Sequence, residues 1–144
     1  DIFKEDFSKA TVVTMYLLPE LNLRLRPTIL NMKPGTRVTS HQFTMGDWEP
    51  DETAEVEYRT AYLWIVPAKV EGTWTFRETG GTPGFMVSLS QTFQKIKGEA
   101  SVGYNKNPLT SQTLRGDAIA FTAQPQQILP AVRPYFRALT TKLL

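Results

Sequence analysis

His41 is the one histidine in this 144-residue chain, and it stands in the alternating stretch TRVTSHQF, residues 36–43. Its ordinary pKa lies near neutrality, so the imidazole can act as a general base if a substrate proton comes within reach. A second group is Asp47, Trp48 and Glu49 in the loop HQFTMGDWEPDET, where a ring face beside carboxylates suits a cationic side chain such as lysine. A third is Tyr16, Leu17, Leu18 and Pro19, which close the apolar run ATVVTMYLL; the carboxyl ends of strands in open α/β sheets are where ligands bind. Each group also has a plain packing reading. A lone histidine in an alternating strand is more often a half-exposed residue, a loop tryptophan more often packs over a sheet end, and Tyr16 with both leucines reads equally well as core. Asp6, Glu20, Asp47 and Asp117 show no spacing of a carboxylate pair.

Composition removes several chemistries. There is no cysteine, hence no thiolate nucleophile, disulfide or cysteine-ligated metal, and one histidine does not make a protein-only zinc cage. Sixteen basic and 14 acidic residues leave a net charge of +2, without the gathered Lys and Arg that nucleic acid binding needs. No apolar run approaches the roughly 18 residues of a membrane helix, and no leader-like pattern opens the chain, so the expectation is a soluble cytoplasmic protein away from membranes.

The elements that would position these residues begin with ATVVTMYLL, rich in β-branched residues and expected to be a strand buried on both faces, as in a parallel sheet. PELNLRLRPTILNMK then sets Leu21, Leu25, Ile29 and Met32 at helical spacing with Asn22, Arg24 and Arg26 outward, although Pro27 should kink or divide the helix. Pro34 and Gly35 make a turn, and TRVTSHQF alternates into a second strand, completing a βαβ crossover. After a polar loop, Tyr58 to Val66 reads as a third strand ending at Pro67. One helix cannot cover both faces of a parallel sheet, so the remaining cover must come from upstream sequence, a partner chain or the β-rich remainder. That remainder, KVEGTWTF, GFMVSLSQTFQKIKGEASVGY and TLRGDAIAFTA, alternates between glycine- and proline-bearing breaks as an antiparallel meander does, with Gly72, Gly98 and Gly116 at turns or bulges. A proline-rich tail ends in YFRALTTKLL, spaced for a short amphipathic helix from about Tyr135.

The opening stretch, DIFKEDFSKATVVTMYLLPELNLRLRPTILNMKPGTRVTSHQFTMGDWEPDET, resembles the second half of a class I S-adenosylmethionine-dependent methyltransferase, in a bacterial branch akin to seven-stranded lysine methyltransferases. YLLPE, KPGTRV and MGDW in that order carry the likeness, which runs over residues 1–67 with AYLWIVPA matched to the sixth strand. The resemblance implies that Asp1 stands on the adenine side of the cofactor and Tyr16, Leu17, Leu18 and Pro19 at its methionine end. The family's glycine-rich cofactor loop is not in this sequence: no G-x-G-x-G occurs, and ETGGTPG, residues 78–84, lies between antiparallel runs rather than at a strand-to-helix junction. The chain also starts on an acid, without Met, and reaches a strand within ten residues, which reads as entering a domain midway.

The expected architecture is therefore α/β: a partial Rossmann-like methyltransferase sheet over 1–67, a β-rich antiparallel extension over 68–124, and a proline-rich tail with a short helix over 125–144. Three functions are compatible with it. The first is an S-adenosylmethionine-dependent methyltransferase acting on protein lysine or a small amine, inactive as an isolated chain and completed by a missing N-terminal half. The second is a non-catalytic module that pairs as a homodimer. The third is a small barrel for an apolar ligand, suggested only by the meander and its aromatics; the likeness of GTW to a lipocalin signature is a three-residue match expected often by chance.

Overall fold

Pro19 sets the first boundary of the fold. Its fixed φ suits the first position of a helix, and the residue ahead of it, Leu18, is extended at φ −66° and ψ 156°, as a residue before proline favours. Strand β1 (Val12–Met15) thus passes into helix α1 (Pro19–Leu30), which runs on past Pro27 instead of dividing there. The KPG turn leads to β2 (Arg37–His41), parallel to β1 with Val12 opposite Arg37 and Met15 opposite Ser40. The crossover read from the sequence is present.

The computed structural model describes residues 1–76, 84–123 and 141–142 and divides them into two compact units. The first comprises residues 1–68 with 115–117. Its sheet continues through β3 (Glu52–Val56) and β4 (Arg59–Ile65), in the order β1-β2-β4-β3, with β4 antiparallel to both neighbours. The β3 segment, expected from sequence to lie partly in a polar loop with the next strand starting at Tyr58, is a strand of its own. It is exposed along its whole length, so no apolar alternation marks it, and the turn that reverses the chain is Glu57–Tyr58 with Glu57 at φ 56°.

The expectation of a doubly buried first strand is overturned. Met15 is buried, but Val12 is 46% exposed and Thr14 is exposed as well. Neighbouring side chains on a strand point to opposite faces, and α1 is the one helix among the described residues. The core gathers Met15, Val38 and Trp64 from the strands, Leu25 and Ile29 from α1, and Met45 and Trp48 from the loop between β2 and β3.

The second unit is the expected meander: β5 (Gly72–Phe76), β6 (Phe85–Thr92), β7 (Lys95–Val102), β8 (Asn105–Arg115), β9 (Ala118–Ala123) and β10 (Thr141–Lys142), each beside the one before it. On β6, Val87 and Leu89 are buried while Met86, Ser88 and Ser90 are exposed, the alternation of a sheet with one wet face. Gly116 does sit in a two-residue turn, between β8 and β9. Gly72 instead opens β5, and Gly98 lies inside β7, where a Cβ would stand 2.1 Å from the Ser88 carbonyl oxygen. That approach, not a turn, is the reason for glycine there. ETGGTPG, all but Gly84, and residues 124–140 of the tail lie outside the described residues. The expected C-terminal helix falls mostly there too, and where it does not, Thr141–Lys142 are strand, paired with Ile119 and Ala118. No described helix is long and apolar enough to cross a membrane.

Replacing Gly98 by alanine should force β6 and β7 apart. Because the obstacle is backbone and cannot swing aside, a loss of about 1–3 kcal/mol is expected, the range for overpacking, read as a lower urea midpoint.

Candidate active site

The carboxyl ends of the parallel strands β1 and β2 bring together residues far apart in the sequence. Tyr16 follows β1 and is 79% exposed; its ring lies over the His41 ring at the end of β2, centroids 4.9 Å apart and planes tilted by 31°. Leu17 is half-buried, and Leu18 and Pro19 are exposed beside it. His41 Nε2 is buried and has no hydrogen-bond partner among the described residues. Asp1 is exposed, and its carboxylate accepts the Phe3 N–H at 3.1 Å. The structure thus joins Tyr16 to His41.

The residue after His41 is held in a strained conformation. Gln42 takes φ 66°, a left-handed backbone that costs a non-glycine residue roughly 1–2 kcal/mol. Two bonds to β4 hold it there: the Gln42 N–H donates to the Thr60 carbonyl at 2.8 Å, and the Thr60 N–H donates to Gln42 Oε1 at 2.5 Å. Strain of this kind collects at functional sites.

Helix α1 fixes the loop beyond. Asn22, expected to face outward, is fully buried, because it lies three and seven residues before Leu25 and Ile29 on the same helical stripe. Its side-chain amide donates to Ser40 Oγ at 3.2 Å and to the carbonyls of Phe43 and Thr44 at 3.3 Å each. One turn on, Arg26 also departs from the outward expectation: its Nη1 donates to the Met45 carbonyl at 2.8 Å and to the Asp47 carboxylate. Gly46 between them takes φ 67°, and a Cβ there would meet Leu23 Cδ2 at 2.8 Å. MGDW is therefore a turn pressed onto the helix, closed by a bridge between Met45 and Trp48.

This geometry separates Asp47 from Trp48. Asp47 is exposed, but its carboxylate is engaged by Arg26, whose hydrogen bond holds its pKa below the usual aspartate range. Trp48 is fully buried against Trp64, ring centroids 6.1 Å apart, and its carbonyl accepts the Trp64 indole N–H at 2.8 Å. The ring is core and does not present a face to solvent. Nearby, burial pushes the Asp51 carboxyl up, against the lowering effect of the Ile65 N–H that it accepts at 2.7 Å. No group of three His, Asp or Glu residues among those described is arranged to hold a metal.

Sequence patterning alone does not single out Asn22, Arg26 or Gln42 as site residues. A signal for Asn22 exists, a polar residue within the apolar stripe of α1; none exists for Gln42, whose backbone angle depends on β4.

Changing Asn22 to leucine removes the donor from two loop carbonyls at once, and a loss of about 1–3 kcal/mol in unfolding free energy is expected, the cost of unpaired buried polar groups. The two aspartates should respond oppositely to pH. Asp47, with its folded pKa below the unfolded one, stabilises above pH 3.8 and loses that contribution as pH falls through its folded value, so Asp47→Asn should cost stability near neutrality and nothing in strong acid. Asp51, with its folded pKa raised, opposes folding once ionised, so Asp51→Asn, which keeps an acceptor for Ile65, should hold or raise stability at neutral pH. Denaturant titrations across pH 2–7 check both predictions.

The family model of the ANTKMT methyltransferase domain matches residues 1–52, the segment that contains β1, α1, β2 and the MGDW turn. A protein-lysine N-methyltransferase of Saccharolobus islandicus is 44% identical over 71 residues, covering 46% of this chain and 44% of that protein. An RNA methyltransferase from Salinibacter ruber, crystallised with S-adenosyl-L-homocysteine, is 49% identical, covers 49% of this chain and 46% of its own, and superposes with a TM-score of 0.47. The chain spans less than half the length of these relatives. Over residues 1–52 the chain is similar to the ANTKMT methyltransferase domain family.

Proposed function

We propose that residues 1–68 are the second half of a Rossmann-like, S-adenosylmethionine-dependent methyltransferase domain that modifies an amine, with protein lysine the first acceptor to test. The observation that carries this reading is the open edge of β1. This strand pairs with β2 on one side only, and around it Ile2, Phe7, Val12, Val13, Tyr16 and Leu17 line an apolar groove of about 350 Å³. A further parallel strand on that edge would extend the sheet and cover the groove, and relatives that match this chain are more than twice as long as the part it spans.

Asp1 and Tyr16 to Pro19 offer one wall for the methyl donor: an exposed carboxylate and an aromatic and apolar rim at a strand's carboxyl end. They do not form a complete grip, because no glycine-rich strand-to-helix loop exists in these residues. The donor supplies an already activated methyl group when bound. The protein's part is to orient the acceptor nitrogen and take its proton, which is why no larger catalytic cluster is required.

A fusion carrying the first half of the Saccharolobus islandicus enzyme ahead of residue 1 tests the reading. It should give saturable calorimetric heat with S-adenosylhomocysteine, while the unfused chain gives none. A folded fusion without heat would overturn the proposal.

The same open edge favours a second reading, a module whose β1 strands pair between two copies. Light scattering should then show a dimer whose population falls on dilution and with Val12→Lys. A monomer at all concentrations would remove this reading.

A further inference from the structure

The Tyr16–His41 pair has a property that packing alone leaves unexplained. A buried ring nitrogen with no partner costs free energy, about 1–3 kcal/mol for an unsatisfied polar group, and His41 Nε2 is in that position. The ring lying over that imidazole is Tyr16, itself 79% exposed and so free of close packing on its outer side. Beyond His41 the backbone is strained at Gln42, and Phe43 is 38% exposed, its N–H donating to the His41 carbonyl at 2.8 Å. An aromatic face and an unmet ring nitrogen beneath it are components that recognise an alkylammonium group. The ring attracts the cation, and an unprotonated Nε2 accepts one of its N–H bonds.

We propose that Tyr16 is a movable cover over His41, and that displacing it opens a subsite for the end of an alkylammonium side chain, with Nε2 as hydrogen-bond acceptor. Within the methyltransferase reading, on which its role rests, this is where the acceptor ammonium gives up a proton: one N–H bond breaks and an Nε2–H bond forms. The nitrogen keeps the electron pair with which it would form an N–C bond to the methyl of a sulfonium donor as the C–S bond breaks and a neutral thioether leaves. Neither Asp47 nor Trp48 is needed for this recognition.

Because His41 is the one histidine, its imidazole can be followed in the full chain without any methyl donor. Two measurements decide the matter. In the first, acylation of the imidazole by diethyl pyrocarbonate should run at least tenfold slower than for free histidine, should stay slow in Tyr16→Phe, and should approach the free rate in Tyr16→Ala. In the second, butylammonium should shift the imidazole carbon-bound proton resonances saturably in the millimolar range. Tetramethylammonium, which has no N–H, should shift them at least fivefold less at equal concentration, and Tyr16→Ala should weaken the butylammonium response. Equal acylation of protein and free histidine would overturn the cover, and no saturable butylammonium response would overturn the subsite. These two overturning results are read on the wild-type chain, so a variant that fails to fold does not spoil them. A failure to bind S-adenosylhomocysteine would bear on the methyltransferase reading and leave this result standing.

Discussion

The side-chain amide of Asn22 is the contact on which the first unit's site depends. It shares two hydrogens among Ser40 Oγ and the carbonyls of Phe43 and Thr44, and so ties the start of α1 to the end of β2. A carbonyl leaving a strand end normally turns to water. Here two of them are drawn under a helix, and the chain after His41 must bend sharply to bring them there. Gln42 takes up that bend in its left-handed backbone, and the bonds to Thr60 hold it. The position of the imidazole beneath Tyr16 thus depends on an amide carried by a different element.

Arg26 repeats the device one helical turn later on Met45 and Asp47, and Gly46 lets the turn approach the helix closely enough for that reach. The loop between β2 and β3 is consequently part of the core, with Trp48 and Met45 fully buried. A solvated face would have left MGDW free to meet a ligand. The helix claims it instead, with Arg26 on Met45 and Asp47 and with Trp48 in the core.

The crossover is legible in sequence because its signals are local: a β-branched run, a proline that both stops a strand and starts a helix, and a proline–glycine turn. The strand ends holding Tyr16 and His41 emerge from the same signals, but their stacking does not, since parallel register brings Met15 beside Ser40 only after the helix has packed. An outward Asn22 is a misreading of periodicity, in which polarity is weighed above its place on the Leu25 and Ile29 stripe. β3 is invisible for the opposite reason: ETAEV carries no buried residue, and its pairing with β4 comes from backbone bonds that any sequence can make. Glu57 and Phe93 at positive φ belong to the same class, turns in which strand pairing overrides residue preference.

The exposure of β3 sets the two margins of the four-stranded sheet apart. On that margin Glu52 and Glu55 stand in the open, and Glu52 is paired with Arg115. Carboxylates along an outer strand repel an incoming strand and are a common defence against unwanted pairing. The β1 margin carries valines and a tyrosine and no such charge. The two margins of the sheet therefore differ in chemistry, acidic along the last strand and apolar and uncharged along the first.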